Sequence, residues 1–166
     1  MISLPNFIIL LLIIINYQFK LGVIKITEYS SVVGYGTFIT KKLWKNKRNV
    51  EVCKVLNFTR IFPKENWFPY VLPKKGESFW GLLFDVTSSE LKELDYYEGV
   101  DSGLYKRVTT VVKTKDKEDK KAFIYVPTEH TINRANLSLE IDTNDRWKEE
   151  IKKSQEIVDK FPELVK

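Results

Sequence analysis

Two segments of this chain carry residue types at spacings that suit chemistry: the loop Gly34-Tyr35-Gly36-Thr37 and the stretch LDYYEGVDSGLYKR from Leu94 to Arg107. A Gly-x-Gly loop after a strand presents backbone N–H groups, and such donors suit a carboxylate or a developing oxyanion. By itself the loop reads as readily as a plain turn. It lacks the third glycine and later acidic partner of a dinucleotide site, and the Lys-Ser/Thr pair of a phosphate loop. In the second segment Glu98 closes a helical pattern just before Gly99. The macrodipole disfavours an acidic side chain near a helix C-terminus by a few tenths to about 1 kcal/mol, and Asp95, one turn earlier, adds like charge. Both effects raise a carboxyl pKa, as a proton shuttle requires. The competing reading is a solvent-facing Glu in a last helical turn.

The rest of the composition removes most other chemistries. One Cys and one His among 166 residues exclude disulfide frameworks, zinc fingers and Cys-plus-His metal cages, each of which needs several converging ligands. Cys53 reads as a reduced, buried small hydrophobe. His130 lies in a polar Thr-Glu-His-Thr stretch and reads as a surface residue, so a Ser-His-Asp or Cys-His mechanism has little to stand on. Acid-base work then falls to the 22 Asp and Glu residues, and a carboxyl with a raised pKa can take and return a proton near neutral pH. The net charge of +5 comes mostly from Lys, which suits a solvated surface better than bidentate reading of phosphates or bases. The cation run Lys41, Lys42, Lys45, Lys47 and Arg48 reads as a solvated face, with contact to nucleic acid or to an anionic substrate as its alternative. Nucleic acid is not an expected partner.

These residues need elements to position them. The length suits one domain, and 43% hydrophobic with 30% charged residues suits a packed core. Tyr29–Val33 reads as a strand, Phe38–Trp44 as a short helix with Phe38, Leu43 and Trp44 for burial, and Val50–Phe62 as a strand of imperfect alternation. Pro63–Pro73 carries three prolines and reads as an ordered loop with a brief extended piece. Phe79–Val86 (FWGLLFDV) is the clearest buried strand. Thr87 and Glu90 form a capping box for a helix whose inner face is Leu91 and Leu94 and which Gly99 stops. Tyr105–Lys113 and Ala122–Val126 read as antiparallel strands around the charged tip Lys115–Lys121. Asn144 or Thr143 should cap a helix from Asp145 to Phe161, with Trp147, Ile151, Val158 and Phe161 on one side.

The first twenty-two residues differ from the rest, with an unbroken apolar run from Phe7 to Ile15. The run is short of the roughly 20 apolar residues of a spanning helix and lacks the charge and cleavage pattern of a signal peptide. Three readings stand: an extension from a start called too early, a short anchor or uncleaved signal, and an integral element. The division is an extension at 1–22 followed by a domain at 23–166. A cytoplasmic protein is expected, with membrane anchoring through residues 1–20 as the alternative.

Several motifs follow one another in a telling order. A strand leads into a Tyr-Gly loop. A Trp-Gly-Leu-Leu-Phe-Asp-Val strand, a Leu-Asp-x-x-Glu-Gly helix end and a Tyr-x-Arg strand come after it. Together they resemble the gamma-glutamylcyclotransferase-like superfamily, of the gamma-glutamylamine cyclotransferase type. The likeness covers roughly Val32 to Val126, is closest in LDYYEGVDSGLY, and includes the Pro-rich lead FPYVLPKKG ending at Gly76; the C-terminal helix matches loosely. The resemblance implies an α+β fold, a small mixed, barrel-like β-sheet with flanking helices around its mouth. It also implies a cofactor-independent enzyme that releases pyroglutamate from a γ-glutamyl amine or peptide, with neither metal nor cofactor. Carried over residue by residue, Glu98 matches the proton-transfer glutamate. Tyr35, Gly36, Thr37 and Phe38 match the loop that grips the γ-glutamyl group, and Tyr105 matches the aromatic after the glutamate. Thr37 and Phe38 stand where the family often has Ser or Asn and Leu, which implies a pocket floor of different size. The alternative is a binding or regulatory module that keeps the fold and pocket without turnover. A lysine-rich protein of nucleic acid or membrane surfaces would instead bind with steep salt dependence.

Overall fold

The computed structural model describes residues 27–62, 68–134 and 145–166. The apolar segment at 1–22 lies outside these residues, and among those described no helix is long and apolar enough to cross a membrane. Five strands form a closed barrel in the order β1-β3-β2-β4-β5: β1 (Tyr29–Gly34), β2 (Arg48–Ile61), β3 (Tyr70–Thr87), β4 (Tyr105–Thr114) and β5 (Asp119–Pro127). Four pairings are antiparallel. The seam between β1 and β5 is parallel, with Val32 opposite Phe123. The fold is therefore α+β with a mixed barrel-like sheet, as expected.

Period-two alternation explains why FWGLLFDV is apolar throughout. Phe79 and Leu83 point into the barrel with Val33, Cys53, Val55, Val112 and Ile124. The alternate residues lie under helices: Leu82 under the C-terminal helices, and Phe84 and Val86 under α2 (Ser88–Tyr97). Both faces of β3 are buried, so no polar alternation survives. Cys53 is buried inside, where desolvation pushes its thiol up to about 12.

Several boundaries differ from the sequence reading. The strand expected at Phe79–Val86 is the second half of the 18-residue β3, which begins at Tyr70 inside the stretch expected to be a loop; residues 63–67 lie outside the description. Pro73 is tolerated because it sits opposite Phe58, where the β2–β3 register shifts and bulges spare a ladder hydrogen bond. At that shift Asn57 is left-handed (φ 60) and its side chain accepts the N–H of Gly76 (φ 85), 3.1 Å away. The helix expected at Phe38–Trp44 is α1 (Thr37–Thr40) followed by a 3₁₀ turn at Leu43–Asn46, divided at left-handed Lys42 (φ 57). Trp44 is buried, but Leu43 is exposed.

The long C-terminal helix is two helices, α4 (Arg146–Lys152) and α5 (Gln155–Lys160), with extended Ser154 between them. A continuous helix would carry Ser154 in its apolar stripe; the break moves burial from Val158 to Ile157, which joins Trp147, Ile151, Phe161 and Leu164 on the sheet. Thr143 and Asn144 lie outside the description, and Asp145 caps α4 by accepting the Trp147 N–H at 3.2 Å. Helix α3 (Glu129–Arg134) carries the exposed His130. The hairpin pairs down to Lys113 opposite Asp119.

Candidate active site

Glu98 owes its place to how α2 begins and ends. At its start, Thr87 Oγ1 accepts the Glu90 N–H (3.3 Å) and Glu90 Oε2 accepts the Thr87 N–H (2.8 Å), the expected capping box. At its end Glu98 is the last helical-like residue and Gly99 turns left-handed (φ 68). Gly99 N–H then donates to the Tyr96 carbonyl (3.1 Å) and Val100 N–H to that of Asp95 (2.9 Å). These are the two bonds of a Schellman stop. A β-carbon on Gly99 would lie 2.8 Å from Leu104, so this turn admits glycine alone without rearrangement. The turn aims Glu98 at the barrel mouth.

There a cavity of about 280 Å³ opens. Tyr35, Gly36, Thr37, Phe38, Glu98 and Tyr105 all line it, so the structure brings the six sequence-derived candidates to one place. Tyr35 meets Phe79 edge-on (centroids 6.2 Å) and donates its hydroxyl to the Tyr125 carbonyl at 2.7 Å. Burial, then Tyr105 and Glu98, hold its phenol well above the usual range, so it stays neutral. Phe38 stacks on Phe84, centroids 4.4 Å apart and planes 13° from parallel. Tyr105 stacks on Tyr70 at 5.9 Å, and burial with the Tyr70 and Glu98 side chains raises its pKa too. Gly36 precedes α1 with no side-chain cap on that helix.

Glu98 is partly buried, and among the described residues its carboxyl has no hydrogen bond or ion pair. Loss of solvent pushes its pKa up to about 7. The expected contribution from Asp95 is absent, because Asp95 turns away: Arg107 Nη1 meets its Oδ2 at 2.6 Å and the Tyr125 hydroxyl donates to its Oδ1 at 2.7 Å. Burial alone raises Glu98. A carboxyl poised near neutrality can accept a proton and return it in one cycle.

Sequence reasoning missed Tyr125, Tyr97, Phe84 and Lys41, which share the cavity wall. Tyr125 lies on β5, and only barrel closure places it near β1; its local signal is an apolar run like any other. Lys41 was hidden in a run of cations. Among the described residues no group of three or more His, Cys, Asp or Glu side chains converges as a metal site would need.

The model of the family described as gamma-glutamyl cyclotransferase, AIG2-like, matches residues 32–149, which hold the whole cavity wall and all of the barrel but the first three residues of β1. The chain belongs to this family. The gamma-glutamyl cyclotransferase, AIG2-like relatives include AIG2-like protein A of Arabidopsis thaliana, 36% identical over 93 residues that cover 55% of this chain and 53% of that protein. The chain thus spans about half the length of the curated relative it matches. A solved structure named gamma-glutamyl cyclotransferase superposes with a TM-score of 0.53 at 18% identity, covering 71% of this chain and 90% of its own. Two solution structures from Arabidopsis thaliana give 0.56 at 24% identity (82% and 90% covered) and 0.58 at 17% (86% of each). These likenesses show that the fold of the family is shared.

Proposed function

We propose that the protein is a cofactor-independent γ-glutamyl cyclotransferase that releases pyroglutamate from a γ-glutamyl amine or peptide, with Glu98 as its proton shuttle. The observation that carries the reading is the partly buried Glu98 carboxyl, raised to about 7, facing the same cavity as the Tyr35–Phe38 loop. Ionised Glu98 takes a proton from the substrate's neutral α-amine as its nitrogen attacks the γ-carbonyl carbon, which closes a five-membered ring and places the carbonyl electron pair on oxygen. Backbone N–H groups around Gly36 and Thr37 face the oxyanion, each such donor contributing about 3 kcal/mol in other enzymes. As the tetrahedral carbon collapses, its bond to the leaving nitrogen breaks and Glu98 returns the proton to that nitrogen. Tyr35, Thr37, Phe38 and Tyr105 enclose the glutamyl chain, and holding the two reacting atoms together supplies much of the rate.

The test is a screen for pyroglutamate release over γ-glutamyl dipeptides and amines with the full chain. Release that disappears in Glu98→Gln supports the reading. Binding of a γ-glutamyl compound that perturbs Tyr35 and Glu98 without turnover would replace the enzyme by a non-catalytic binding module.

A further inference from the structure

The fold gives many of its cations a partner. Lys42 and Lys45 both pair with Glu156 on α5, while Arg48 (2.7 Å) and Lys47 (4.0 Å) pair with Glu90 on α2, so the cation run is not one solvated face. Lys54 and Lys148 are exceptions. Both are half-buried, yet among the described residues neither side chain has an ion pair or a hydrogen bond, although charges withdrawn from water are ordinarily paired. Both line a second cavity, of about 240 Å³, which shares no wall residue with the one that holds Glu98.

The carboxylate on that wall is already committed. Asp145 Oδ1 accepts the Trp147 N–H at 3.2 Å, and its Oδ2 takes Arg60 Nη1 at 2.6 Å. Arg60 is itself buried; its Nη2 donates to the Trp80 carbonyl, and among the described residues its Nε has no hydrogen-bond partner. The guanidinium and the carboxylate offset each other. The ammonium groups of Lys54 and Lys148 are left over, with Lys166 at the exposed edge. Lys54 stands on β2 and Lys148 on α4, so the surplus charge comes from two elements packed together and not from one solvated helix face. Ser78 adds a hydroxyl to the same wall.

We propose that this second cavity binds a small phosphate, as the free ion or as the phosphoryl group of a small molecule. A phosphoryl group brings nearly two negative charges and three strong acceptor oxygens, which matches two unpaired ammonium groups and a hydroxyl. A carboxylate brings one charge and two oxygens. Lysine serves phosphate as a point charge, with no need of the forked geometry that Arg60 spends on Asp145 and Trp80. The volume falls below the roughly 300 to 1,000 Å³ of pockets for drug-sized ligands, which suits a compact ion. The site stands whether or not Glu98 turns a substrate over.

Calorimetry on the full chain at constant ionic strength tests it, at about pH 8, where a phosphoryl group is close to a dianion. The probes are inorganic phosphate, glycerol 3-phosphate and acetate. Phosphate should bind one to one, and acetate about tenfold more weakly or worse, since each charge-assisted bond it forgoes is worth at least that factor. Lys54→Gln combined with Lys148→Gln should weaken phosphate by about tenfold or more on the same grounds. Lys92→Gln combined with Lys121→Gln removes the same charge from exposed positions on α2 and β5 and should leave the affinity unchanged. Whichever of the two phosphates binds more tightly identifies the ligand as the free ion or a phosphorylated compound. Absence of saturable phosphate binding overturns the site, and acetate bound as tightly as phosphate makes it a carboxylate site instead. Equal weakening by the two double variants also overturns it, by reducing the binding to the general attraction of a basic chain.

Discussion

Arg107 Nη1 lies 2.6 Å from Asp95 Oδ2, joining β4 to the helix that ends in Glu98. The other Asp95 oxygen takes the Tyr125 hydroxyl, and Tyr125's own carbonyl takes that of Tyr35. One carboxylate thus links α2, β4, β5 and the Tyr35 loop. Asp95→Ala leaves a guanidinium and a phenol without their acceptor, at a cost of about 1 to 3 kcal/mol. Urea unfolding should show that loss; a midpoint unchanged from the parent would mean the bonds contribute nothing net. Asp95→Asn keeps one acceptor oxygen and should lose less.

Glu98→Gln should reduce turnover at least about 100-fold, the usual worth of general acid-base catalysis, with the far-UV spectrum unchanged. Glu93→Gln, on the same helix and exposed, should retain parental rates. Equal rates for Glu98→Gln and the parent on a compound that the parent cyclises would remove the shuttle.

The same group predicts the pH profile. On the mechanism proposed above Glu98 must be ionised to accept the proton, so kcat/KM should fall on the acid side with a midpoint near 7. An acid limb near the ordinary Glu value of 4.5 would contradict the burial of this carboxyl.

Stability should follow the opposite course. Below pH 4.5 Glu98 is neutral in both the folded and unfolded chain, and its burial costs nothing. From 4.5 to about 7 only the unfolded chain releases the proton, so folding weakens as pH rises. Above 7 the loss is complete, at most about 3 kcal/mol at 1.36 kcal/mol per pKa unit, and less for the solvent the side chain still meets. Glu98→Gln should match the parent near pH 4 and exceed it near pH 8 in urea midpoint. Parallel curves across that range would refute the shift.

Phe38 couples loop to pocket. A β-carbon on Gly34 would sit 2.2 Å from the Phe38 ring, which in turn stacks on Phe84. Gly34→Ala should cost about 1 to 3 kcal/mol by overpacking, and less in a Phe38→Ala background, a coupling that a double-mutant cycle measures. Phe38→Leu should alter relative kcat/KM among γ-glutamyl compounds by more than it alters stability, where loss of the ring pair costs about 0.5 to 1.5 kcal/mol. A uniform change across all substrates would reduce Phe38 to a packing residue.

What could be read in advance was local. The Thr87–Glu90 box and Gly99 stop lie within a dozen residues of Glu98, so the helix and its awkward last carboxyl were legible without any tertiary contact. The partners of Asp95 were not: Arg107 is 12 residues away and Tyr125 is 30, and no spacing rule joins them before the barrel closes. For the same reason the direction of the Glu98 shift was legible and its cause was not, since dipole and like charge are visible in one helix while burial is a property of the assembled mouth. Ser154 shows the limit of periodicity: the stripe Trp147, Ile151, Val158, Phe161 counts well through a serine that the chain uses to change course. Lys41 could not be told from its four neighbours until Glu90 and Glu156 had claimed them.

The paired left-handed residues Asn57 and Gly76 mark where β3 carries surplus chain, since Leu56 faces Ser78 while Phe58 already faces Pro73. The intervening Lys75, Gly76 and Glu77 are exposed, and no β-carbon at Gly76 would touch a neighbour. The ladder resumes its register on either side, so extra residues there leave both halves of β3 in place and stay off the Glu98 cavity wall. That makes the bulge a natural port for a fluorophore or an affinity handle, one that can report on the protein without touching the chemistry proposed for it.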